Sequence, residues 1–318
     1  MTKPLVLLLD WTPEGTIDRL RREVPELDFH DGRDDETFRR YWRQTAITYG
    51  VPPLDRLSEA DQLRWVQLAS AGVPASFRAA AQQRGLRVTN LAGLYGPTIA
   101  EHALALMLML ARNLHQVMCH QFERLWDDKE VARTMFDLPG KTLAIIGLGN
   151  IGQSLARVGK RHGLRVVGCR RVPCWVPRVD QVYPLSDLHA MLAEADIVAV
   201  TTPLTPATEG LLGPREFAAM KRGVLFVNVS RGAIAQEEAL LDALRSGQVR
   251  GAALDAYAVE PLPAAHPFWA MPQVIVSPHY SGETVNLSSL PSERFLRNLR
   301  ADLQGRELEG MVDLEQGY

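Results

Sequence analysis

Short apolar runs alternate with amphipathic stretches along the N-terminal third of the chain. Residues 16–24 and 37–43 have the apolar spacing of helices. The runs predict strands, because each is bounded by Asp, Gly, Pro or Ser; they cover residues 5–9, 46–50, 65–69 and 86–88. Since strands and helices alternate, we expect a parallel α/β sheet in this part of the chain.

A second and longer α/β series follows a stretch, 100–114, that is apolar nearly all round and contains neither Gly nor Pro. We expect that stretch to be a helix buried between layers or between subunits. The series predicts strands at 143–147, 165–168, 197–201, 224–229, 252–255 and 274–277, and helices at 151–162, 185–194, 236–246 and 291–303. The pattern therefore predicts a second α/β domain.

Length and composition exclude several classes of protein. At roughly 100–200 residues per domain, a chain of 318 residues suggests two domains. A net charge of −2 provides no basic field for nonspecific nucleic-acid binding. The apolar runs at 4–9 and 103–110 are too short for a signal-peptide core or a membrane span.

The cysteines and histidines predict neither disulfides nor a metal site. Cys119, Cys169 and Cys174 are odd in number and form no CxxC pair, so we expect reduced thiols and a soluble, cytoplasmic protein. His115 and His120 lack the i, i+4 spacing of a helical metal pair. We interpret every histidine except His279 as a surface or helix residue.

The segment at 147–152 predicts a dinucleotide-binding turn. Gly147, Gly149 and Gly152 form GxGxxG between a predicted strand and a predicted helix, which is the context that this fingerprint requires. The three glycines permit a tight turn, a close approach to pyrophosphate and close helix–strand packing. The N–H groups around Asn150 and Ile151 can bind the phosphate charge.

The residues after the second strand of this series favour NADP over NAD. NAD enzymes usually carry an Asp or Glu there, which binds the ribose hydroxyls. This chain has Arg170 and Arg171 instead, and its next carboxylate is Asp180. Guanidinium groups suit a 2′-phosphate. The alternative is that both arginines are solvated, or that they stack on the adenine of NAD.

Three residues whose side chains can bind a carboxylate or transfer a proton follow predicted strand ends: Arg231, Glu260 and His279. The carboxyl ends of parallel strands share one edge of a sheet, and ligands bind there. Arg binds carboxylates with a fork of donors, and His is a proton donor near neutral pH. A Glu beside the His would favour the imidazolium and orient its ring.

In these motifs the chain resembles the D-isomer-specific 2-hydroxyacid dehydrogenases. The family patterns GLGxIG, NxxRG, LDxxxxEPLP and PHxxG occur in order. The similarity extends to 68–73, 99–102, 202–208, 312–314 and 317–318, and so covers nearly the whole chain. The arginine pair is most similar to that of the NADPH-using glyoxylate/hydroxypyruvate reductases.

The resemblance implies two Rossmann-like α/β domains joined by two crossings. A flavodoxin-like substrate domain would comprise 1–99 and 285–318, and a doubly wound, parallel-sheet cofactor domain would comprise 100–284. It also implies a homodimer joined through the cofactor domain, and a cleft that closes to exclude water. The reaction would be hydride transfer between a nicotinamide cofactor and a small 2-oxoacid or D-2-hydroxyacid.

The family's functional residues carry over onto matching positions. Arg231 would bind the substrate carboxylate and polarise the keto oxygen, His279 would be the general acid or base, and Glu260 would pair with it. The amides of Ala71 and Gly72 would bind the carboxylate from the substrate domain. Cofactor contacts, besides those of the turn and the arginine pair, would come from Thr202, Pro203, Thr208, Val229, Ser230, Asp255, Ser281 and Gly282.

Two departures from the family pattern affect the expected substrate and loop geometry. Pro74 stands where the family usually has Asp, and Gln236 replaces a common acidic residue. Three rival functions remain open. A formate or phosphite dehydrogenase would share the fold, although Glu260 argues against formate. A corepressor-like dinucleotide sensor would add partner-binding extensions, which we do not expect here. The third is the same enzyme using NADH.

Overall fold

The computed structural model describes residues 3–126, 129–284 and 289–315. The chain divides into two compact units, one from 1–94 and 284–318 and the other from 95–283. The sequence placed the first boundary at 99/100, whereas the structure places it at 94/95. The reason is that the helix opening the second unit begins at Gly96, with a proline in its first turn, which is a favoured helix start.

The described part of the first unit contains a parallel sheet of five strands, β1 to β5, in the spatial order β2-β1-β3-β4-β5. These are Leu5–Leu8, Asp28–Asp31, Thr45–Tyr49, Trp65–Gln67 and Arg87–Thr89. The helices are α1 (Thr16–Glu23), α2 (Asp35–Tyr41), α3 (Ala75–Gln83) and, from the C-terminal segment, α10 (Leu290–Leu303). This strand order is that of the flavodoxin-like fold, which confirms the predicted architecture.

Both faces of this sheet are buried. In β1, Leu5 and Leu7 pack into one apolar cluster, whereas Val6 and Leu8 pack into another. Successive side chains point to opposite faces of a strand, so a continuous apolar run needs a layer of helices on each side. The unbroken run that begins the chain is explained by this arrangement.

The C-terminal helix α10 completes the first unit. Phe295 packs into the cluster that contains Val6 and Leu8. Asp302, whose side chain is 3% exposed, accepts hydrogen bonds from Arg64 Nη1 at 2.8 Å and Arg87 Nη2 at 2.6 Å. Burial alone would raise the pKa of this carboxyl, but the two guanidinium groups outweigh burial and lower it. The last helix is thus joined to β4 and β5 by an ion-pair network.

The described part of the second unit contains a parallel sheet of seven strands, β6 to β12, in the order β12-β11-β10-β9-β6-β7-β8. The strands are Thr142–Ile146, Arg165–Cys169, Gln181–Tyr183, Ile197–Val200, Val224–Asn228, Val249–Leu254 and Val274–Val276. The helices are α4 (Gly96–Ala111), α5 (Leu114–Glu123), α6 (Asn150–Arg161), α7 (Leu188–Ala193), α8 (Pro214–Ala219) and α9 (Glu237–Arg245). The strand order reverses between β6 and β9, which is the switch point where doubly wound sheets bind ligands.

The apolar stretch at 100–114 is not one helix. Helix α4 ends at Ala111, Asn113 adopts a left-handed backbone with φ 49°, and α5 then begins at Leu114. Asn113 is held there because its side-chain amide donates to Val131 O at 2.7 Å. Met107 and Leu110 pack into a cluster beneath the sheet of their own unit. Helix α4 is therefore buried against the sheet of its own unit, as expected for a helix between layers.

None of the helices in the described ranges is long and apolar enough to cross a membrane. All three cysteines are free thiols. Cys169 is buried at the end of β7, and burial raises its pKa to about 11.

Candidate active site

The predicted dinucleotide turn connects β6 to α6 at the switch point. Gly147 follows β6 directly, has φ 100° and donates its N–H to Cys169 O at 3.1 Å. A Cβ added to Gly147 would lie 2.7 Å from the Cα of Thr202. Glycine is therefore required at this position both for the backbone angle and for the close approach of the 202 loop.

Gly152 and Gly149 have different tasks in the same turn. A Cβ on Gly152 would lie 2.1 Å from Gly147 O, so any side chain would force the helix away from the strand. Gly149, which is exposed, has no atom within 4 Å of its added Cβ. Because α6 begins at Asn150, the N–H groups of Asn150 and Ile151 lie at a helix N-terminus beside this open space. The arrangement fits a cofactor pyrophosphate.

The arginine pair lies directly after β7. Arg170 is half-buried and donates from Nη1 to Cys174 Sγ at 2.9 Å, whereas Arg171 is exposed. Asp180, the next carboxylate in sequence, accepts from Val166 N at 2.8 Å and from Lys160 Nζ at 2.9 Å. Val166 is near the start of β7, so Asp180 is bound away from the end that carries the arginines. Residues 169–179 thus present guanidinium groups and no carboxylate.

The 202–208 loop is held by its own hydroxyl groups. Thr208 Oγ1 donates to Pro203 O at 2.7 Å and accepts from Thr205 N at 2.8 Å. Ser230 Oγ donates to Thr202 O, which connects this loop to the segment after β10. The residue before Ser230, Val229, is buried. The structure therefore brings the predicted cofactor residues of these two segments into one hydrogen-bonded group.

Arg231 is exposed at the end of the segment that follows β10. Asn228, the last residue of that strand, fixes the turn, because its Nδ2 donates to Arg231 O at 3.0 Å and its Oδ1 accepts from Ser230 N at 3.0 Å. The next residue, Gly232, passes so close to Tyr257 that an added Cβ would lie 2.0 Å from the Tyr257 carbonyl carbon. Because Gly232 has no side chain, the segment that carries Arg231 can approach the segment that carries Tyr257 and Glu260.

Glu260 and His279 form a hydrogen-bonded pair. His279 Nδ1 lies 2.7 Å from Glu260 Oε2, and since an ionised carboxylate only accepts, the nitrogen donates. Glu260 Oε1 accepts from Tyr257 N at 2.9 Å. The other ring nitrogen, Nε2, makes no hydrogen bond within the described residues, and the His279 side chain is 40% exposed. The pair therefore presents an oriented imidazole that can exchange a proton at Nε2.

The backbone of His279 is held in a strained conformation, with φ 54°. Non-glycine residues in the left-handed region cost free energy and persist where the surroundings determine them. Asp255 provides the surroundings here: it is fully buried, and it accepts from Ser277 Oγ, from Tyr280 N at 3.1 Å and from Ser281 N at 3.0 Å. Its observed task is to hold the histidine loop. The contact of Asp255 with the cofactor stays a prediction.

His102 was interpreted from sequence as a surface or helix residue, but it also contacts this site. It lies on α4, with Nε2 3.2 Å from Ser277 Oγ and 3.9 Å from Asp255 Oδ1. Burial lowers the pKa of His102, and Asp255 opposes that effect. Tyr257 is a second residue that the sequence reasoning missed, since its hydroxyl donates to Leu254 O at 2.6 Å. Both residues lie within family motifs of the sequence, His102 in the segment 99–102 and Tyr257 in the LDxxxxEPLP segment.

The predicted substrate loop of the first unit follows β4. Its shape is set by Ser70 Oγ, which donates to Gly72 O at 2.9 Å, and by Asn90 Nδ2, which donates to Ala71 O at 2.8 Å. The N–H groups of Ala71 and Gly72 donate to no group within the described chain. Pro74 is the N-cap of α3. Two free amides beside a helix N-terminus suit a carboxylate.

In the described ranges, no group of three His, Cys, Asp or Glu side chains is arranged to hold a metal ion. Gly282 lies beside Tyr95 and Ile99 of the second unit. Of the tail segments that carry the family resemblance, 312–314 is described, whereas 317–318 lies outside the described residues.

Comparison with known proteins supports the resemblance read from the motifs. Residues 104–281 match the model of the D-isomer specific 2-hydroxyacid dehydrogenase family, NAD binding domain. A glyoxylate reductase of Aeropyrum pernix is 34% identical over 269 residues, which are 82% of this chain and 79% of that protein. A D-3-phosphoglycerate dehydrogenase of Mycobacterium leprae is 30% identical across all of this chain, which spans 60% of that enzyme's length.

A solved structure agrees over the full length. The D-isomer specific 2-hydroxyacid dehydrogenase of Xanthobacter autotrophicus Py2, crystallised in complex with NADPH and MES, has a TM-score of 0.86 and 28% identity, covering 100% of both chains. The D-3-phosphoglycerate dehydrogenase of Methanocaldococcus jannaschii is 31% identical, and this chain spans 49% of its length. Relatives named for different substrates thus match this chain at similar identity, so the similarity alone does not select a substrate.

Proposed function

The chain belongs to the D-isomer specific 2-hydroxyacid dehydrogenase family, and on that premise we propose that it is an NADPH-dependent reductase of small 2-oxoacids such as glyoxylate or hydroxypyruvate. The observation that carries the proposal is the His279–Glu260 pair, with its 2.7 Å hydrogen bond and accessible Nε2. The glyoxylate reductase of Aeropyrum pernix supports the substrate class.

Bound NADPH would supply the hydride, held by the glycine turn at 147–152 and by Arg170 and Arg171. The chain's own residues supply the rest. Arg231 binds the substrate carboxylate and stabilises negative charge on the keto oxygen. His279 donates a proton from Nε2 to that oxygen, and Glu260 holds the ring so that Nε2 faces the substrate.

The amides of Ala71 and Gly72 are proposed to bind the same carboxylate. Support for this role comes from the free N–H groups of the two residues and from the family resemblance. That the same substrate would also contact Arg231 is implied by the resemblance alone. Pro74 removes one backbone donor from the end of this loop. We therefore expect a compact substrate that needs few contacts here, which favours glyoxylate and hydroxypyruvate over longer 2-oxoacids.

The proposed preference for NADPH rests on Arg170 and Arg171. It is also supported by Asp180, the next carboxylate in sequence, which binds Lys160 and Val166 instead of lying beside the arginines. Replacing both arginines with Gln should raise KM for NADPH by at least about tenfold, because each charge-assisted bond to phosphate is strong, while KM for NADH changes little. Arg161→Gln, at the exposed end of α6, is the matched control. A wild-type kcat/KM that is higher with NADH would overturn this preference.

The test of the function is NADPH consumption, followed at 340 nm, with a panel of 2-oxoacids that includes glyoxylate, hydroxypyruvate and pyruvate. We expect the fastest turnover with glyoxylate and hydroxypyruvate. A protein that binds NADPH and turns over none of the panel would instead be a dinucleotide sensor, and the proposed reductase would be excluded.

We further propose a homodimer, joined through an apolar face of α5. Leu114, Val117, Met118 and Phe122 recur at helical spacing and are 41–82% exposed. Leu125 and Trp126 follow, at 51% and 92%. A contiguous apolar surface of this kind is typical of an interface.

Sedimentation velocity tests the assembly. The wild-type chain should sediment as a dimer at micromolar concentration, and Phe122→Asp should shift it toward a 35 kDa monomer. His120→Asp, placed on the same helix outside the apolar set, is the control. A wild-type monomer at that concentration would contradict the proposal.

A further inference from the structure

A second polar site lies at the opposite end of the seven-stranded sheet from the glycine turn. Arg250 and Gly251 are the second and third residues of β11, Leu225 is the second residue of the adjacent β10, and Gln273 directly precedes β12. These are amino ends of parallel strands, whereas the cofactor turn follows the carboxyl end of β6. Together with residues from α4, α5 and the 134 turn they enclose a cavity of about 40 Å³.

Arg250 is the charged group of this cavity. Its Nη1 donates to Thr134 O, and its guanidinium carbon lies 4.9 Å from the centre of the Phe136 ring. Its Nη2 is sealed from solvent and has no hydrogen-bond partner among the described residues. An unpaired buried donor on a cation costs free energy unless an acceptor is supplied.

No carboxylate of the described chain compensates this charge. Burial lowers the pKa of Arg250, and no acidic neighbour opposes the effect. Arg165, another partly exposed arginine, does have such a partner in Glu194. The described residues that line the cavity include no Asp and no Glu. The site therefore has the charge of an anion site and lacks an internal anion.

His115 lines the same cavity and complements the arginine. Its Nδ1 donates to Met109 O at 3.3 Å, and its buried Nε2 has no hydrogen-bond partner among the described residues. Burial lowers the pKa of His115, the carbonyls of Met109 and Pro272 oppose that, and the charge of Arg250 lowers it further. A neutral His115 presents an acceptor at Nε2. The cavity thus offers a strong donor and an acceptor together, which suits an oxyanion that carries a hydroxyl group.

From this geometry we propose that the cavity at the amino edge of the second sheet binds a small oxyanion such as hydrogen phosphate, held by Arg250 Nη2. Gln116 and Gln273 also line the space. A cavity needs roughly 10–15 Å³ to hold one water molecule. This cavity therefore admits an ion of a few heavy atoms and excludes a nucleotide. This inference does not depend on the proposed reductase activity.

Inorganic phosphate is the probe, titrated into the full chain at constant ionic strength with excess NADPH present to occupy the cofactor turn. A ligand that binds only the folded state raises the unfolding midpoint as its concentration passes Kd. We expect a saturable rise in Tm for the wild type, and calorimetry should give one phosphate per chain.

Arg250→Gln should weaken phosphate binding by about tenfold or more, because a charge-assisted bond is lost. Arg222→Gln is the matched control, since exposed Arg222 also donates to a backbone carbonyl, Ser246 O at 2.9 Å, and should respond like the wild type. If Arg250→Gln does not fold, Arg250→Lys replaces it, and its phosphate affinity should be reduced. A flat wild-type response, or equal affinities of the wild type and the Arg250 variants, would overturn the proposal.

Discussion

The two sheets of the protein are both parallel and buried on both faces, yet the turns at their carboxyl ends present different chemistry. In the first unit, the turn after β4 offers the backbone amides of Ala71 and Gly72. In the second unit, the turns after β10, β11 and β12 carry ionisable side chains, Arg231, Glu260 and His279. Under the proposed function, charge stabilisation and proton transfer would depend on the second unit, while the first unit would contribute backbone donors.

If that division is correct, Arg231→Gln should have one of the largest effects on turnover. The variant loses both the clamp on the substrate carboxylate and the positive charge near the developing alkoxide, so kcat/KM for glyoxylate should fall by about a hundredfold or more. Initial-rate kinetics with NADPH measure it. Arg245→Gln, an exposed arginine of α9 in the same unit, should leave the rate unchanged. A loss confined to KM would mean that Arg231 binds substrate without aiding the reaction.

Glu260→Gln should have a smaller effect of a different kind. The amide can still accept a hydrogen bond from Tyr257 N, but it lacks the negative charge of the carboxylate that now accepts the bond from His279 Nδ1. We expect kcat for glyoxylate reduction to fall by about tenfold. Glu238→Gln on α9 serves as control. A kcat equal to that of the wild type would exclude Glu260 from the proposed proton-transfer pair.

Asp302→Asn tests the first unit, because it should lower the stability of that unit and leave kcat unchanged. The pKa of this carboxyl is lowered in the folded state, so its contribution is complete above the pKa of an unfolded aspartate and is lost as pH falls through the folded value. Arg64 and Arg87 are 42% and 40% exposed, so we expect a loss of only about 1 kcal/mol at pH 7.

Urea unfolding at pH 7 and at pH 3 measures the effect of Asp302→Asn. The difference from the wild type should be largest at pH 7 and shrink at pH 3, and Asp61→Asn, an exposed control, should show no such dependence. An equal loss at both pH values would exclude the ion pairs as its cause.

The sequence predicted buried strands such as β1 and β6 well because their apolar runs are nearly unbroken. It missed β2, whose sequence Asp-Phe-His-Asp has one apolar residue, and β8, which is three residues long. Both are edge strands, where one neighbour is enough and the apolar pattern is weak. It also merged α4 with the following residues, because a left-handed Asn113 leaves no glycine or proline signal.

The candidate site was predictable to the extent that its residues lie in ordered motifs. The motifs predict that Glu260 pairs with His279, and Glu260 Oε2 lies 2.7 Å from His279 Nδ1. The positions of Asp255 and His102 were not predictable, because their contacts depend on how a helix and a strand from distant parts of the sequence pack together. Arg250 and His115 carry no motif at all, and only the folded chain brings them to one cavity.

The central claim is that His279 delivers the proton at the edge of the second sheet. A single-turnover experiment tests it most directly: the wild type and His279→Ala are each loaded with NADPH and mixed with glyoxylate, and the decay of NADPH fluorescence is followed. The account predicts equal NADPH affinity for both proteins, since the glycine turn is unchanged, and a decay slower by about 10²–10⁴-fold in the variant. A His279→Ala protein that oxidises bound NADPH at nearly the wild-type rate would contradict the account.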